Sequence, residues 1–173
     1  RRLYLWRWRQ LLRRERNGAP LRRPDHAHGG EGEPAAGRSL ASGGARPGSR
    51  GVALSAVVLT KNEEARIERC LESVQWADEV LVVDGMSTDR TADICRQHGA
   101  KVISHPFSGS FGDERNLGAE TASNDWVLQL DADDVVSEEL RDAICQFLRH
   151  GTPHAAFQMR RKNNFLGHWM MAG

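Results

Sequence analysis

Four short apolar runs recur along the chain at intervals of 22 to 25 residues: Leu54 to Leu59, Glu79 to Val83, Lys101 to Ser104 and Trp126 to Leu130. Their apolarity is continuous rather than alternating, which marks strands covered on both faces. Helical patterns lie between them. Ile67, Cys70, Leu71 and Val74 fall at i, i+3, i+4 and i+7, with Glu63 and Glu64 ahead of them, where a helix dipole favours acids. A second pattern runs from Asp89 to His98 and stops at Gly99, a residue suited to a left-handed turn. A third covers Glu114 to Thr121. The fourth, Ser137 to Arg149, opens on Ser137 as N-cap with Glu138 and Glu139 behind it, and carries a stripe of Leu140, Ala143, Ile144, Phe147 and Leu148. After Pro153, Ala156 to Arg161 reads as a further strand. Strand and helix in alternation imply right-handed crossovers and an open, mostly parallel α/β sheet.

Charge divides the chain into two kinds of polypeptide. The net charge is +1 overall, but residues 1–50 hold 12 Arg, no Lys and 4 acids, whereas residues 51–173 hold 12 bases and 19 acids. Residues 1–16 mix Trp6, Trp8 and leucines with seven arginines, so one reading is a basic amphipathic helix on an anionic membrane or nucleic acid. From Asn17 to Gly51 there is almost no large apolar residue to offset the ordering entropy of a fold. The expectation is therefore a disordered arm over 1–51 and a folded body over 52–173, with no nucleic-acid partner. The Arg-only base content, the absence of an initiator Met and a first methionine at Met86 further suggest translated upstream sequence, with coding starting near Val52. No run approaches the roughly 18 apolar residues of a membrane-spanning helix. Cys70, Cys95 and Cys145 are odd in number and each lies in an apolar helical pattern, so a disulfide framework or zinc site is not expected. A reducing, cytoplasmic setting follows as the expected location.

Ligands of open parallel sheets sit beyond the carboxyl ends of the strands. Thr60-Lys61-Asn62-Glu63-Glu64 follows the first run, Asp84-Gly85-Met86-Ser87-Thr88-Asp89 the second, and Asp131-Ala132-Asp133-Asp134 the fourth. Helix capping explains part of Asn62 and Ser87, and a lone Asp is often only a solvated turn residue. Asp84, directly after Val-Leu-Val-Val, is placed to accept from a nucleobase N–H or a ribose hydroxyl. Asp131 and Asp133, two apart on a rigid strand end, can face one divalent cation that keeps substrate phosphates in its remaining positions. Mg²⁺ or Mn²⁺ bridging a diphosphate is the natural use. Arg115 can stack on a base or fork onto phosphate, the alternative being a surface ion pair with Asp113 or Glu114. Gly109 and Gly112 allow the preceding loop to move, His105 and His154 have no partners at ligand spacing, and Trp76 and Trp126 are expected to pack.

The ordered stretches LSAVVLTKNEEARIERCLESV, EVLVVDGMSTDRTADIC and DERNLGAETASNDWVLQLDADD resemble the amino-terminal, nucleotide-sugar-binding half of family 2 glycosyltransferases, over about residues 53–170. RRKNNFLGHWM further resembles the bacterial lipopolysaccharide core β-1,4-glucosyltransferase-like proteins. The resemblance implies a Rossmann-like sheet of the glycosyltransferase A type and an inverting, metal-dependent enzyme. By it, Thr60, Asn62 and Glu63 surround the base and ribose, Asp84 contacts the base, and Arg115 precedes the metal motif. Asp133 is then the more direct metal ligand and Asp131 a ribose or metal-water contact. The implied donor is a nucleotide sugar, of uridine type, and the implied acceptor a cell-envelope glycan or glycolipid, with peripheral association at the inner face of the membrane. The family's catalytic base lies well after the D-x-D motif. Only 39 residues follow Asp134 and none forms that later acidic motif, so the base is expected beyond Gly173 and little transfer is expected of this chain alone. Glu138 and Glu139 are explained by the helix dipole.

Two rival classes share parts of the pattern. LDADDVV resembles the strand-D-x-D motif of haloacid-dehalogenase-like phosphatases, with Asp131 as nucleophile, but such enzymes place the motif early and need further residues downstream. A dinucleotide oxidoreductase lacks its G-x-G-x-x-G after the first strand. A non-catalytic nucleotide-binding or interaction module is the third alternative, and direct measurement of sugar transfer separates it from an enzyme.

Overall fold

The computed structural model describes residues 3–7, 52–106, 109–159, 162–165 and 168–171. Its core is a six-stranded sheet in which β2 (Leu54–Thr60), β3 (Glu79–Asp84), β4 (Lys101–Ser104) and β5 (Trp126–Asp131) run parallel, as the four apolar runs predict. The order across the sheet is β4-β3-β2-β5-β1-β6, with β1 at Leu3–Arg7 and β6 at Ala156–Met159. A separate hairpin pairs β7 (Lys162–Phe165) with β8 (His168–Met171).

Every residue of β2 is buried, and its side chains alternate between two core layers. Ala56 and Val58 face the layer built by α1 (Ile67–Val74), α2 (Thr91–Gln97) and α4 (Glu138–His150). Val57 and Leu59 face α3 (Phe111–Thr121), which brings Ala119 and the partly buried Leu117 to the opposite layer. Trp126 is 1% exposed and meets Phe147 edge-on at 5.2 Å, as expected of a packing residue. Ser137 caps α4 by accepting from the Leu140 N–H at 3.3 Å, and Gly99 holds a left-handed φ of 78° after α2. Among the described residues no helix is long and apolar enough to cross a membrane.

The expectation of a disordered arm over 1–51 is corrected at Leu3–Arg7, and so is a helix there. This segment is a strand inserted between β5 and β6 and antiparallel to both, with Leu5 opposite Leu128 on one side and Phe157 on the other. The cause is a short period-two pattern: Leu3 and Leu5 are 5% and 2% exposed and join the α1/α2/α4 layer, while Tyr4 points to the other face. Burying each leucine contributes about 1.5–3 kcal/mol. Arg7 spreads over the Trp126 ring at 5.1 Å. The remainder of the 1–51 expectation lies outside the described residues, as do Arg160 and Arg161 of the last expected strand.

Candidate functional site

The loops after β2 and β3 are stapled to each other by their own side chains. The Asn62 Oδ1 accepts from the Thr88 N–H at 2.8 Å, and the Asn62 N–H donates to Ser87 Oγ at 2.9 Å. The Glu63 N–H donates to Thr91 Oγ1 at 2.8 Å, and the Arg90 N–H to Glu64 Oε2 at 3.0 Å. Asp84 sits beneath this lacework, 2% exposed, its carboxylate accepting from the Ser87 hydroxyl and the Ser87 N–H. Asn62 and Met86 adopt left-handed backbone, with φ of 53° and 61°, conformations that cost energy in a non-glycine residue and are held here by the staples.

These staples shape one wall of a cleft of about 600 Å³ over the carboxyl ends of β2, β3 and β5. Thr60, Lys61 and Glu63 enter it from β2, Gly85 from β3, Glu114 and Arg115 from α3, and Asp131 and Asp133 from β5. Thr60, Glu63, Arg115, Asp131 and Asp133 are therefore brought together as the sequence predicts. Asn62 and Asp84 do not belong to the cleft lining; the Asn62 side chain hydrogen-bonds to the neighbouring loop and that of Asp84 to Ser87, and together they hold the two loops in register. Neither is Asn62 a helix cap, since its partner Thr88 belongs to the neighbouring loop.

At the metal motif, Asp131, Asp133 and Asp134 each present a carboxylate oxygen within 4.8 Å of the others. The turn that gathers them is locked: the Asp131 N–H donates to Asp134 Oδ2 at 2.8 Å, the Asp134 N–H to the Asp131 carbonyl at 2.9 Å, and the Ala132 N–H to the Leu59 carbonyl at 3.0 Å. Three hard anionic ligands at one rigid strand end fit a small divalent cation with open positions for phosphate oxygens. Arg115 pairs with neither Asp113 nor Glu114 in the manner of the surface alternative. Its Nη2 lies 2.7 Å from Asp131 Oδ1. The Cys70 Sγ lies 3.7 Å from the Asp131 carbonyl beneath this turn, its thiol pushed up to about 12 by burial and by the nearby Asp134.

Lys61, the other cation that the sequence places near the site, lines the cleft as Arg115 does. Sequence reasoning passed over two participants. Tyr4 reaches the cleft from β1, its hydroxyl accepting from Gln158 Nε2 at 3.2 Å. Glu114 appeared only as a possible partner for Arg115, yet it is 6% exposed and its Oε1 has no hydrogen-bond partner among the described residues. Its position one turn before Gly118 carried the signal. A Cβ on Gly118 would lie 2.4 Å from Val57 Cγ1, so α3 packs flat on the sheet and turns Glu114 inward.

The model of the family described as Glycosyl transferase family 2 matches residues 55–172. The chain is 48% identical over 92 residues to an uncharacterized glycosyltransferase of Rickettsia bellii (strain RML369-C), covering 53% of this chain and 31% of that protein. It is 27% identical over 120 residues to the lipopolysaccharide core biosynthesis glycosyltransferase LpsC of Rhizobium meliloti (strain 1021), covering 66% and 44%. The chain thus spans less than half the length of either relative. Among solved structures it is similar to S. aureus TarS, with a TM-score of 0.46 and 36% identity over 53% of this chain and 19% of that one. It is also similar to glucosyl-3-phosphoglycerate synthase of Mycobacterium tuberculosis in complex with Mn²⁺, UDP and glucosyl-3-phosphoglycerate, with a TM-score of 0.41 and 32% identity over 47% and 34% of the two chains.

Proposed function

The chain belongs to glycosyl transferase family 2, and from that premise we propose that it forms the donor-binding half of an inverting enzyme that moves a hexose from a nucleotide sugar, of uridine type, to a cell-envelope glycan such as lipopolysaccharide core. The observation that carries this reading is the cluster of Asp131, Asp133 and Asp134 at the end of β5, in one cleft with Arg115 and Lys61. A nucleoside diphosphate needs positive charge at its diphosphate and directional polar groups at its nucleoside, and the cleft offers both. LpsC by its name, and the UDP and Mn²⁺ in the mycobacterial complex, agree with the acceptor and donor classes proposed.

Asp133 and Asp131 would hold Mg²⁺ or Mn²⁺, which supplies positive charge against the charge that develops on the leaving diphosphate. Arg115 adds a forked donor to the same oxygens while its contact with Asp131 fixes where that fork points. Thr60 lies at the end of β2, one residue before Lys61, and offers its hydroxyl to the nucleoside. The staples formed by Asn62, Ser87 and Asp84 keep the two loops from collapsing into the space the nucleotide takes. We place the base that deprotonates the acceptor outside this cleft, because of the acids in or beside it only the buried Glu114 is uncommitted: Asp131 pairs with Arg115, Asp134 accepts from the Asp131 N–H, Glu63 lies 3.4 Å from Arg66, and Asp133 would hold the cation. General-base catalysis is worth about 10²–10⁴ in rate, so the chain by itself transfers little sugar. A cytoplasmic location with peripheral membrane association accompanies this proposal.

Thermal denaturation with a panel of UDP-, GDP- and CMP-sugars tests the reading. A rise in Tm with a uridine donor in Mn²⁺, absent in EDTA, is expected, since a ligand that binds only the native state stabilises it by mass action. No shift with any donor contradicts it.

A further inference from the structure

We propose, resting on the donor-site reading above, that Glu114 determines nucleotide specificity by accepting a hydrogen bond from a donor group on the bound nucleoside. An acid near the amino end of a helix is ordinarily a solvated partner of the helix dipole. Asp113 has that place beside Ser110, which caps α3 by accepting from the Asp113 N–H. Glu114 is the next residue, and it is 6% exposed while lining the cleft, with Oε1 unpartnered among the described residues. Thr60 Oγ1 is a second orphan on the same cleft, on a residue 7% exposed. Buried polar atoms of native proteins nearly always find partners. Both residues line the cleft while these two atoms are themselves closed off from it, so a ligand that pairs them must draw the side chains outward; the other two orphans among the described residues, His105 Nδ1 and Gln129 Oε1, do not belong to the lining.

The chemistry of the pair narrows the ligand. An ionised carboxylate only accepts, whereas a threonine hydroxyl donates or accepts. Together they suit an N–H or O–H next to an oxygen acceptor. The diphosphate cannot be the partner of Glu114, because like charges repel; it belongs with Arg115, Lys61 and the cation. The neutral donor groups left are those of the nucleoside and of the hexose, and UDP, which carries no hexose, isolates the first. Burial raises the Glu114 carboxyl above its ordinary range, while the fields of His105 and Lys61 pull it back. The fold gains nothing from the arrangement, since an unmet buried acceptor destabilises the free protein.

The test is calorimetry in Mn²⁺ with UDP and with inorganic pyrophosphate, on the full chain and on Glu114→Met and Glu114→Gln, with urea unfolding of each. Glu114→Met keeps the length of the side chain and removes the acceptor. It is expected to weaken UDP binding at least tenfold, leave pyrophosphate binding unchanged, and leave the urea midpoint equal or higher. Glu114→Gln retains one acceptor oxygen and is expected to fall between. N3-methyluridine diphosphate and 2′-deoxyuridine diphosphate then tell the source of the donor: the analogue lacking the group that Glu114 reads loses affinity on the native chain and not on Glu114→Met. Unaltered UDP binding in Glu114→Met, equal losses for UDP and pyrophosphate, or a lower urea midpoint in both variants would overturn this inference alone. Failure of the native chain to bind UDP would overturn it together with the donor-site reading.

Discussion

Arg115 Nη2 lies 2.7 Å from Asp131 Oδ1, and this contact ties helix α3 to the end of strand β5 across 16 residues of sequence. The two side chains are 33% and 18% exposed, so the pair is neither a freely solvated contact nor a sealed one. Its consequence is geometric: a guanidinium already positioned against one carboxylate of the metal cluster meets an incoming diphosphate without first having to be ordered.

Arg115→Ala is expected to weaken Mn²⁺-dependent nucleoside diphosphate binding by about 1–3 kcal/mol, the range for hydrogen bonds to charged groups. Arg115→Lys keeps the charge but loses the planar fork, and is expected to recover only part of that loss. Titration of both variants with UDP checks the order. Lysine equal to arginine would show that the fork does not matter.

Gly118 sets how closely α3 approaches the sheet. An added Cβ would meet Val57 Cγ1 at 2.4 Å and Val83 Cγ2 at 3.1 Å, both branched side chains of the core. Gly118→Ala should therefore destabilise the protein by about 1–3 kcal/mol through overpacking and weaken nucleotide binding as Glu114 and Arg115 are displaced. Urea denaturation measures the first effect, and UDP titration of the folded variant the second.

Removing residues 1–7 is expected to lower stability, against the sequence-based expectation that the arm contributes nothing. Leu5 is 2% exposed between Leu128 and Phe157, so Leu5→Ala alone should cost about 2–5 kcal/mol. Equal unfolding midpoints for the intact and shortened chains would mean that β1 does not dock.

What the sequence made legible follows from periodicity. The four parallel strands, the Ser137 cap and the Gly99 stop are local patterns whose physics is complete within a few residues. The cluster of Asp131 and Asp133 was legible because its ligands are two apart on one strand. β1 was not: its partners Trp126 to Gln129 lie more than a hundred residues away, and five residues among many arginines carry too little pattern to announce a strand. Asn62 was read as a ligand contact from the family resemblance, and Asp84 from that and its strand-end position. The hydrogen bonds they make to Ser87 and Thr88 were not legible, because they depend on how the two loops meet in the fold. Glu114 was missed because its burial depends on how closely the helix packs at Gly118, which composition does not reveal.

The thiols give a dependence on pH. Burial, with Asp84 nearby, pushes the Cys95 thiol from its ordinary 9.0 up to about 11. A group whose folded pKa is raised stabilises the native state below its unfolded pKa and loses that contribution as pH rises through the folded value. Stability should accordingly fall between pH 9 and about pH 11, and fall less in Cys95→Ala, as followed by urea midpoints. At pH 8 a thiol reagent should label half-buried Cys145 before Cys70 or Cys95, which are both buried.

The central claim is that the cleft at the end of β5 binds a nucleoside diphosphate through a divalent cation held by Asp133. Calorimetric titration with UDP, in Mn²⁺ and then in EDTA, on the native chain and on Asp133→Ala, tests it most directly. The expected result is binding in Mn²⁺ that disappears in EDTA and weakens by about 1–3 kcal/mol in Asp133→Ala, as for other contacts to charged groups. Equal binding in EDTA, or an affinity unchanged by Asp133→Ala, would contradict it.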